Sequence, residues 1–231
     1  MMPCNPCLKL ASLLGLPLLV GLTPQSAAAD QPKQHDGFYL RLAGGFTSMV
    51  DPAQVDAPNV EVDGTVTGNG VALDVALGGT PAAGLVIGGG IFAAHLPSPK
   101  ADDMDASVAG LFDFNGDVEF DSFNFALLAP FVDYYPSPRS GLHVTGAIGL
   151  GWIGGGDGTL QNSSYVPFQD HAGVGPGFLA GVGYDWWLAD QWSLGVAARV
   201  TYAAPAGDDD DDTEWQHHLW LPAVLATLTW H

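Results

Sequence analysis

Beyond residue 30 no stretch of this chain approaches the about twenty consecutive apolar residues that a membrane-spanning helix needs. Yet 47% of its 231 residues are hydrophobic and only 13% are charged, about half the usual share of charge. The apolar residues recur instead at every second position. A period of two puts successive side chains on opposite faces of a strand, whereas a helix would repeat at 3.6. A closed β-barrel reconciles the two facts: its strands satisfy one another's backbone groups, and their alternation hides the hydrophobicity from any single window.

Eight alternating segments lie near 37–48, 69–79, 84–96, 122–135, 141–154, 175–188, 191–204 and 219–230. Each has about the ten residues a tilted strand uses to cross a bilayer. Thr80 to Ala83, Pro136 to Ser140 and Ala189-Asp190 are short connections built from turn-forming residues. The stretches near 49–68, 97–121, 155–174 and 205–218 are long and polar. Short turns on one side and long loops on the other predict an all-β, eight-stranded antiparallel up-and-down transmembrane barrel with both termini periplasmic.

The faces of the strands agree. Phe38, Leu40, Leu42, Gly44 and Phe46 oppose Tyr39, Arg41, Ala43, Gly45 and Thr47; Trp192, Leu194, Val196, Ala198, Val200 and Tyr202 oppose Ser193, Gly195, Ala197, Arg199 and Thr201. Phe38, Phe131, Trp186, Trp192 and Trp230 fall beside the short turns or the C-terminal end, and Phe46, Phe123, Trp152, Tyr202 and Trp220 at the long-loop ends. Two aromatic rings eight to ten residues apart stand roughly 20–25 Å apart on tilted strands, the height of a barrel's apolar band. These ten residues are expected at the membrane interfaces.

The first thirty residues read differently. Lys9 precedes the apolar run Leu10 to Leu22, and Ala27-Ala28-Ala29 follows. This is the layout of a secretory signal peptide, so residues 1–29 are expected to be cleaved and 30–231 to form the barrel. Cys4 and Cys7 match a C-x-x-C spacing, but both lie in the leader. The remaining chain carries 25 acidic against 5 basic side chains, which excludes nucleic acid as a partner.

With those features in place, Gly181-Val182-Gly183-Tyr184-Asp185-Trp186-Trp187 and Gln191-Trp192-Ser193-Leu194-Gly195 give the chain its resemblance to the small outer-membrane β-barrel proteins of the OmpA, OmpX and OmpW kind. The last strand, Val224 to Trp230, resembles the signal read by the barrel-assembly machinery, through Leu228 and Trp230; it departs from that signal at Leu225 and in ending on His231. The resemblance implies the cell outer membrane of a Gram-negative envelope, contact with lipid and lipopolysaccharide, passage through the assembly machinery, and a monomer.

Eight strands enclose an interior that side chains just fill. The alternation directs Arg41, Asp74, Asn124, His143, Thr145, Asp185, Arg199 and Thr201 inward. An unpaired charge there is costly, so Arg41 and Asp74, on adjacent strands, are expected to pair. Of the 25 acids, 19 lie in the four long loops, with Lys100 the only base among them. Acidic loops stay hydrated; they also suit Ca²⁺ or Mg²⁺, which hold anionic lipopolysaccharide together. Asp113, Asn115, Asp117 and Glu119 form the start of a candidate Ca²⁺ loop, in which oxygen ligands alternate along a tight turn.

Catalysis would require a His with a Ser or carboxylate at the rim. His95, His171, His217 and His218 fall near the long-loop edge, with Ser163 and Ser164 in a loop, but there is no G-x-S-x-G element. The sequence therefore points to a non-enzymatic barrel with a structural or surface-interaction role. A narrow channel or transporter for small solutes and a lipid-modifying enzyme are the alternatives.

Overall fold

The computed structural model describes residues 35, 37–57, 60–108, 112–155, 158–160, 171–208 and 214–231; the leader expected at 1–29 lies outside them. In chain order the strands are β1 (Gly37–Ala57), β2 (Val60–Ala82), β3 (Leu85–Pro97), β4 (Lys100–Val108), β5 (Phe112–Phe120), β6 (Ser122–Tyr134), β7 (Leu142–Gly155), β8 (Gly158–Leu160), β9 (His171–Trp187), β10 (Trp192–Ala203), β11 (Ala206–Asp208), β12 (Glu214–Gln216) and β13 (Leu219–Trp230). Eight of them close into a ring: β1 pairs β2, then β3, β6, β7, β9, β10 and β13, which returns to β1. Every pairing is antiparallel. These are the eight segments read from the alternation.

Among the described residues the long connections are mostly paired strand. β1 and β2 run on together to Ala57 and Val60 as one hairpin, and β2 alone has 23 residues, more than twice the roughly ten needed to span a bilayer. β4 pairs with the outer half of β2, β5 with β4 and β8 with β5. β11 and β12 form a second small hairpin between β9 and β1. The described parts of the expected loops thus continue the wall as β-sheet beyond the membrane on one side.

At the other end the turns are tight. Gly84 adopts φ +77° between β2 and β3, a conformation that costs little only without a Cβ. Its carbonyl accepts from Tyr135 N at 2.7 Å, joining two neighbouring turns.

Outward positions are apolar and exposed: Leu73, Leu77, Ile91, Leu128, Ile148, Leu150, Val196 and Val224 among them. In water such a belt would be a severe liability; in a bilayer it is the lipid contact. Inward positions are buried. They divide into a polar floor near the short turns and an apolar core that runs from mid-barrel to the long-loop rim, containing Phe92, Leu96, Phe123, Phe125, Leu127, Ile153, Leu219 and Leu221.

Candidate functional site in the lumen and at its rims

The floor is built on carboxylates from β6 and β9. Asp133 accepts from Arg41 Nη1 at 2.8 Å and from Tyr39 Oη at 2.6 Å, and a further bond from Thr145 Oγ1. Asp133 and Tyr39 are wholly buried and Arg41 nearly so. Asp185 accepts from Tyr135 Oη and Thr227 Oγ1, at 3.0 and 3.1 Å, and lies 3.6 Å from His143 Nδ1. A Cβ on Gly195 would strike Asp185 Oδ1, so the glycine between the two strands is what lets Asp185 and Thr227 meet.

Below this layer the two ends of the barrel are tied together. His35 and His231 share a hydrogen bond between their Nδ1 atoms at 3.0 Å; one ring donates and the other accepts. His231 Nε2 lies 3.1 Å from Ser193 Oγ, and His35 Nε2 3.2 Å from the Ser140 carbonyl. His35 stacks on Tyr135 with centroids 3.6 Å apart, and Trp187 packs on both imidazoles. Burial disfavours the charged form of each ring. It lowers His35 to about 4 and His231 to about 3.

A second ion pair lies higher. Arg199 binds Asp74 through two parallel bonds, Nη2 to Oδ1 at 2.9 Å and Nε to Oδ2 at 3.1 Å, and Arg199 Nη1 donates to Thr201 Oγ1. Between the two pairs, bounded by Arg41, Asp74, Thr145 and Arg199, is a cavity of about 10 Å³, the room of a single water.

Several expectations change here. Arg41 pairs with Asp133 and Asp74 with Arg199, instead of Arg41 with Asp74. The alternation shows which residues face inward but not who faces whom across the lumen; ring closure brings β6 within reach of β1, and β10 within reach of β2, each pair three strands apart around the ring. Phe123 and Phe131 point inward, each 1% exposed, while Asn124 is exposed on the lipid side, where its Oδ1 lies 2.9 Å from His95 Nδ1. Both faces of β6 are apolar, so period two alone does not choose between them. Asp133 does: outward it would be a bare charge in lipid, and because a strand's faces alternate strictly, its inward turn takes Phe131, Leu127 and Phe123 with it.

The other eight of the ten expected interface aromatics face outward. Phe38, Trp186, Trp192 and Trp230 lie toward the short turns, joined by Tyr134 and Tyr184; Phe46, Trp152, Tyr202 and Trp220 lie toward the long-loop end, joined by Phe178. Amphipathic rings at both interfaces are what a bilayer selects.

At the long-loop rim Asp51 is fully buried and bonds the His217 ring and, at 3.0 Å, the His218 backbone N–H. His218 Nδ1 lies 2.7 Å from Tyr202 Oη. The side chains of Asp113 and Asn115, and His171, Ser163 and Ser164, lie outside the described residues. The backbone of 112–120 is an extended strand paired with β4, not the tight turn of a Ca²⁺ loop. Glu119 lies 3.5 Å from Lys100. Among the described residues no three His, Cys, Asp or Glu side chains are grouped as metal ligands.

The sequence reading missed Asp133, Tyr39, Tyr135, His35 and His231. One signal was present: Asp133 is the lone charge in a mostly apolar strand, and such a charge marks the lumen face.

No family model and no curated protein matches the chain. Among solved structures it is similar to the outer membrane protein OprG from Pseudomonas aeruginosa, with 17% identity over 87% of this chain and 100% of that one, at a TM-score of 0.48. It is similar to Neisserial surface protein A, with 10% identity over 84% and 96% and a TM-score of 0.49. It is also similar to the outer membrane protease OmpT from Escherichia coli, with 8% identity over 85% and 97% and a TM-score of 0.44. The closed ring, the exposed apolar belt and the two girdles assign the fold without them: this chain is an all-β, eight-stranded antiparallel barrel of the kind that spans outer membranes.

Proposed function

We propose that this protein is a non-conducting, non-enzymatic outer-membrane barrel that serves a structural or surface-interaction role, holding an acidic β-structured extension outside the cell. The observation that carries this reading is the packing of the lumen among the described residues. An ion-paired floor closes one end, Phe92, Leu96, Phe123 and Leu127 pack in the apolar core above it, and the space between the ion pairs admits one water. An ion entering that apolar core would shed its hydration with no polar group to replace it.

On this reading both termini are periplasmic. The acidic rim, including Asp102, Asp117 and Glu119, faces the anionic lipopolysaccharide through shared Ca²⁺ or Mg²⁺, with the barrel a monomer. The test is conductance of the refolded chain in planar bilayers, with insertion confirmed by heat-modifiable gel migration. A silent bilayer is expected; discrete steps overturn the reading.

A second reading, passage of small apolar solutes, has one observation in its favour. The upper lumen is apolar, and the β1–β13 ladder is interrupted between Thr47↔Ala223 and Val50↔Trp220, at Pro222. Uptake of an apolar dye into vesicles that stay electrically silent would favour it over the first.

A further inference from the structure

The His35–His231 contact sets two nitrogen bases face to face, and their neighbours decide where the protons lie. Burial keeps both rings neutral at pH 7. The Ser140 carbonyl can only accept, so His35 Nε2, 3.2 Å away, carries that ring's hydrogen. A neutral imidazole has one N–H, which leaves His35 Nδ1 a bare lone pair. His231 Nδ1, at 3.0 Å, is then the donor, and its Nε2 accepts from the Ser193 hydroxyl at 3.1 Å. One proton therefore lies between two ring nitrogens whose far sides are both anchored.

The surroundings suit a monovalent cation. His35 and Ser193 are fully buried and His231 is nearly so. Tyr135 and Trp187 pack on His35, and Tyr39 and Trp187 on His231, so the rings shut water out. The floor sets two buried carboxylates, Asp133 and Asp185, against one buried arginine, Arg41, while Arg199 is matched by Asp74. Asp185 faces His143 instead of a second arginine. One added positive charge offsets the difference.

We propose that His35 Nδ1 and His231 Nδ1 hold one Cu(I) ion between them, two-coordinate and linear, at the short-turn end of the barrel. Imidazole nitrogen suits copper, and Cu(I), with its filled d shell, is satisfied by two ligands in line. Structural zinc takes four ligands and finds two. Two nitrogens on one metal stand about 4 Å apart, twice a metal–nitrogen bond, so the pair opens by about 1 Å. Both residues lie beyond the strand ladders, His35 before β1 and His231 after β13, so this opening breaks no ladder bond. No proton is released: the hydrogen of His231 moves from Nδ1 to Nε2, where Ser193 Oγ accepts it. Each ligand then donates its distal N–H to an oxygen, the arrangement that orients metal-bound histidine.

The test is Cu(I) uptake by the full chain refolded in detergent micelles, under anaerobic ascorbate, against bicinchoninate as competing chelator. All proteins carry Cys4→Ser and Cys7→Ser, because the leader thiols bind Cu(I) themselves. Heat-modifiable migration checks folding. One tightly held equivalent is expected, with two nitrogen neighbours and no sulfur by X-ray absorption. His35→Phe and His231→Phe each abolish it, and Ser193→Ala lowers its affinity roughly 10–100-fold. His95→Asn, exposed on the lipid face, leaves it unchanged. No tight uptake, or undiminished uptake by a folded His35→Phe or His231→Phe, overturns the proposal. Should those variants not fold, the absorption spectrum of the wild type decides: sulfur, or more than two nitrogens, in the first shell overturns it as well.

Discussion

Arg41 and Asp133 meet at 2.8 Å across the lumen although 92 residues separate them in the chain. Their contact joins β1 to β6, strands that are not neighbours in the ring, and it brings Tyr39 and Thr145 onto the same carboxylate.

Removing the acid alone should therefore be severe. Asp133→Ala leaves Arg41 buried and unpaired, at a cost of about 3–5 kcal/mol. Arg41→Met combined with Asp133→Leu should recover most of that loss, since paired apolar replacements of similar volume are often neutral. Urea titration of the chain refolded in phosphatidylcholine vesicles measures both. A near-wild-type Asp133→Ala would mean that the ion pair does not organise the floor.

The orientation of β6 gives a second expectation. Phe131 is 1% exposed and Leu128 is 64% exposed. Phe131→Ala should cost about 3–5 kcal/mol through the lumen cavity it leaves, whereas Leu128→Ala, facing lipid, should cost under about 1 kcal/mol. Reversed magnitudes in the same urea assay would mean that β6 sits with its faces exchanged.

Proline interrupts the seam between the first and last ring strands. Pro222 has no N–H to donate, and its carbonyl accepts instead from the Thr47 hydroxyl at 2.9 Å, which also lies 3.3 Å from the Ser48 carbonyl. Thr47→Val should cost about 1–2 kcal/mol. In a Pro222→Ala background, where a backbone N–H is available again, the same change should cost less. A double-mutant cycle reads the difference; additivity would show that the hydroxyl is not patching the ladder.

Acid should loosen the end-to-end tie. Burial lowers His35 to about 4 and His231 to about 3, so the unfolded chain takes up these protons first. This contribution to stability is complete above about pH 6.5, declines as pH falls below that, and is fully lost once the folded-state values are passed. Stability of the wild type should therefore drop more steeply between pH 7 and 4 than that of His35→Phe/His231→Phe. Equal slopes would show that the two imidazoles do not couple folding to pH.

Much of the wall was legible. Period two located all eight ring strands, because a strand between lipid and lumen must alternate, and the short turns carried their own residues. The extensions were less legible. Their polarity reads as loop, yet Asp56↔Glu61 and Asp105↔Asn115 are ladder pairs; once a hairpin is started within the membrane, its register continues outward through polar residues. The lumen was legible as a set of inward residues, and Asn124, Phe123 and Phe131 show where that failed: a strand apolar on both faces gives no local reason to prefer either.

The residues alone determined that the chain forms a strand-built, membrane-facing wall, since alternation and girdle spacing are local properties that each segment carries by itself. Tertiary structure decided the partners: Asp133 for Arg41, Arg199 for Asp74, and His231 for His35. Those choices depend on distances across a closed ring. Closure sets them through strand number and tilt, so they exist only once the first and last strands have met.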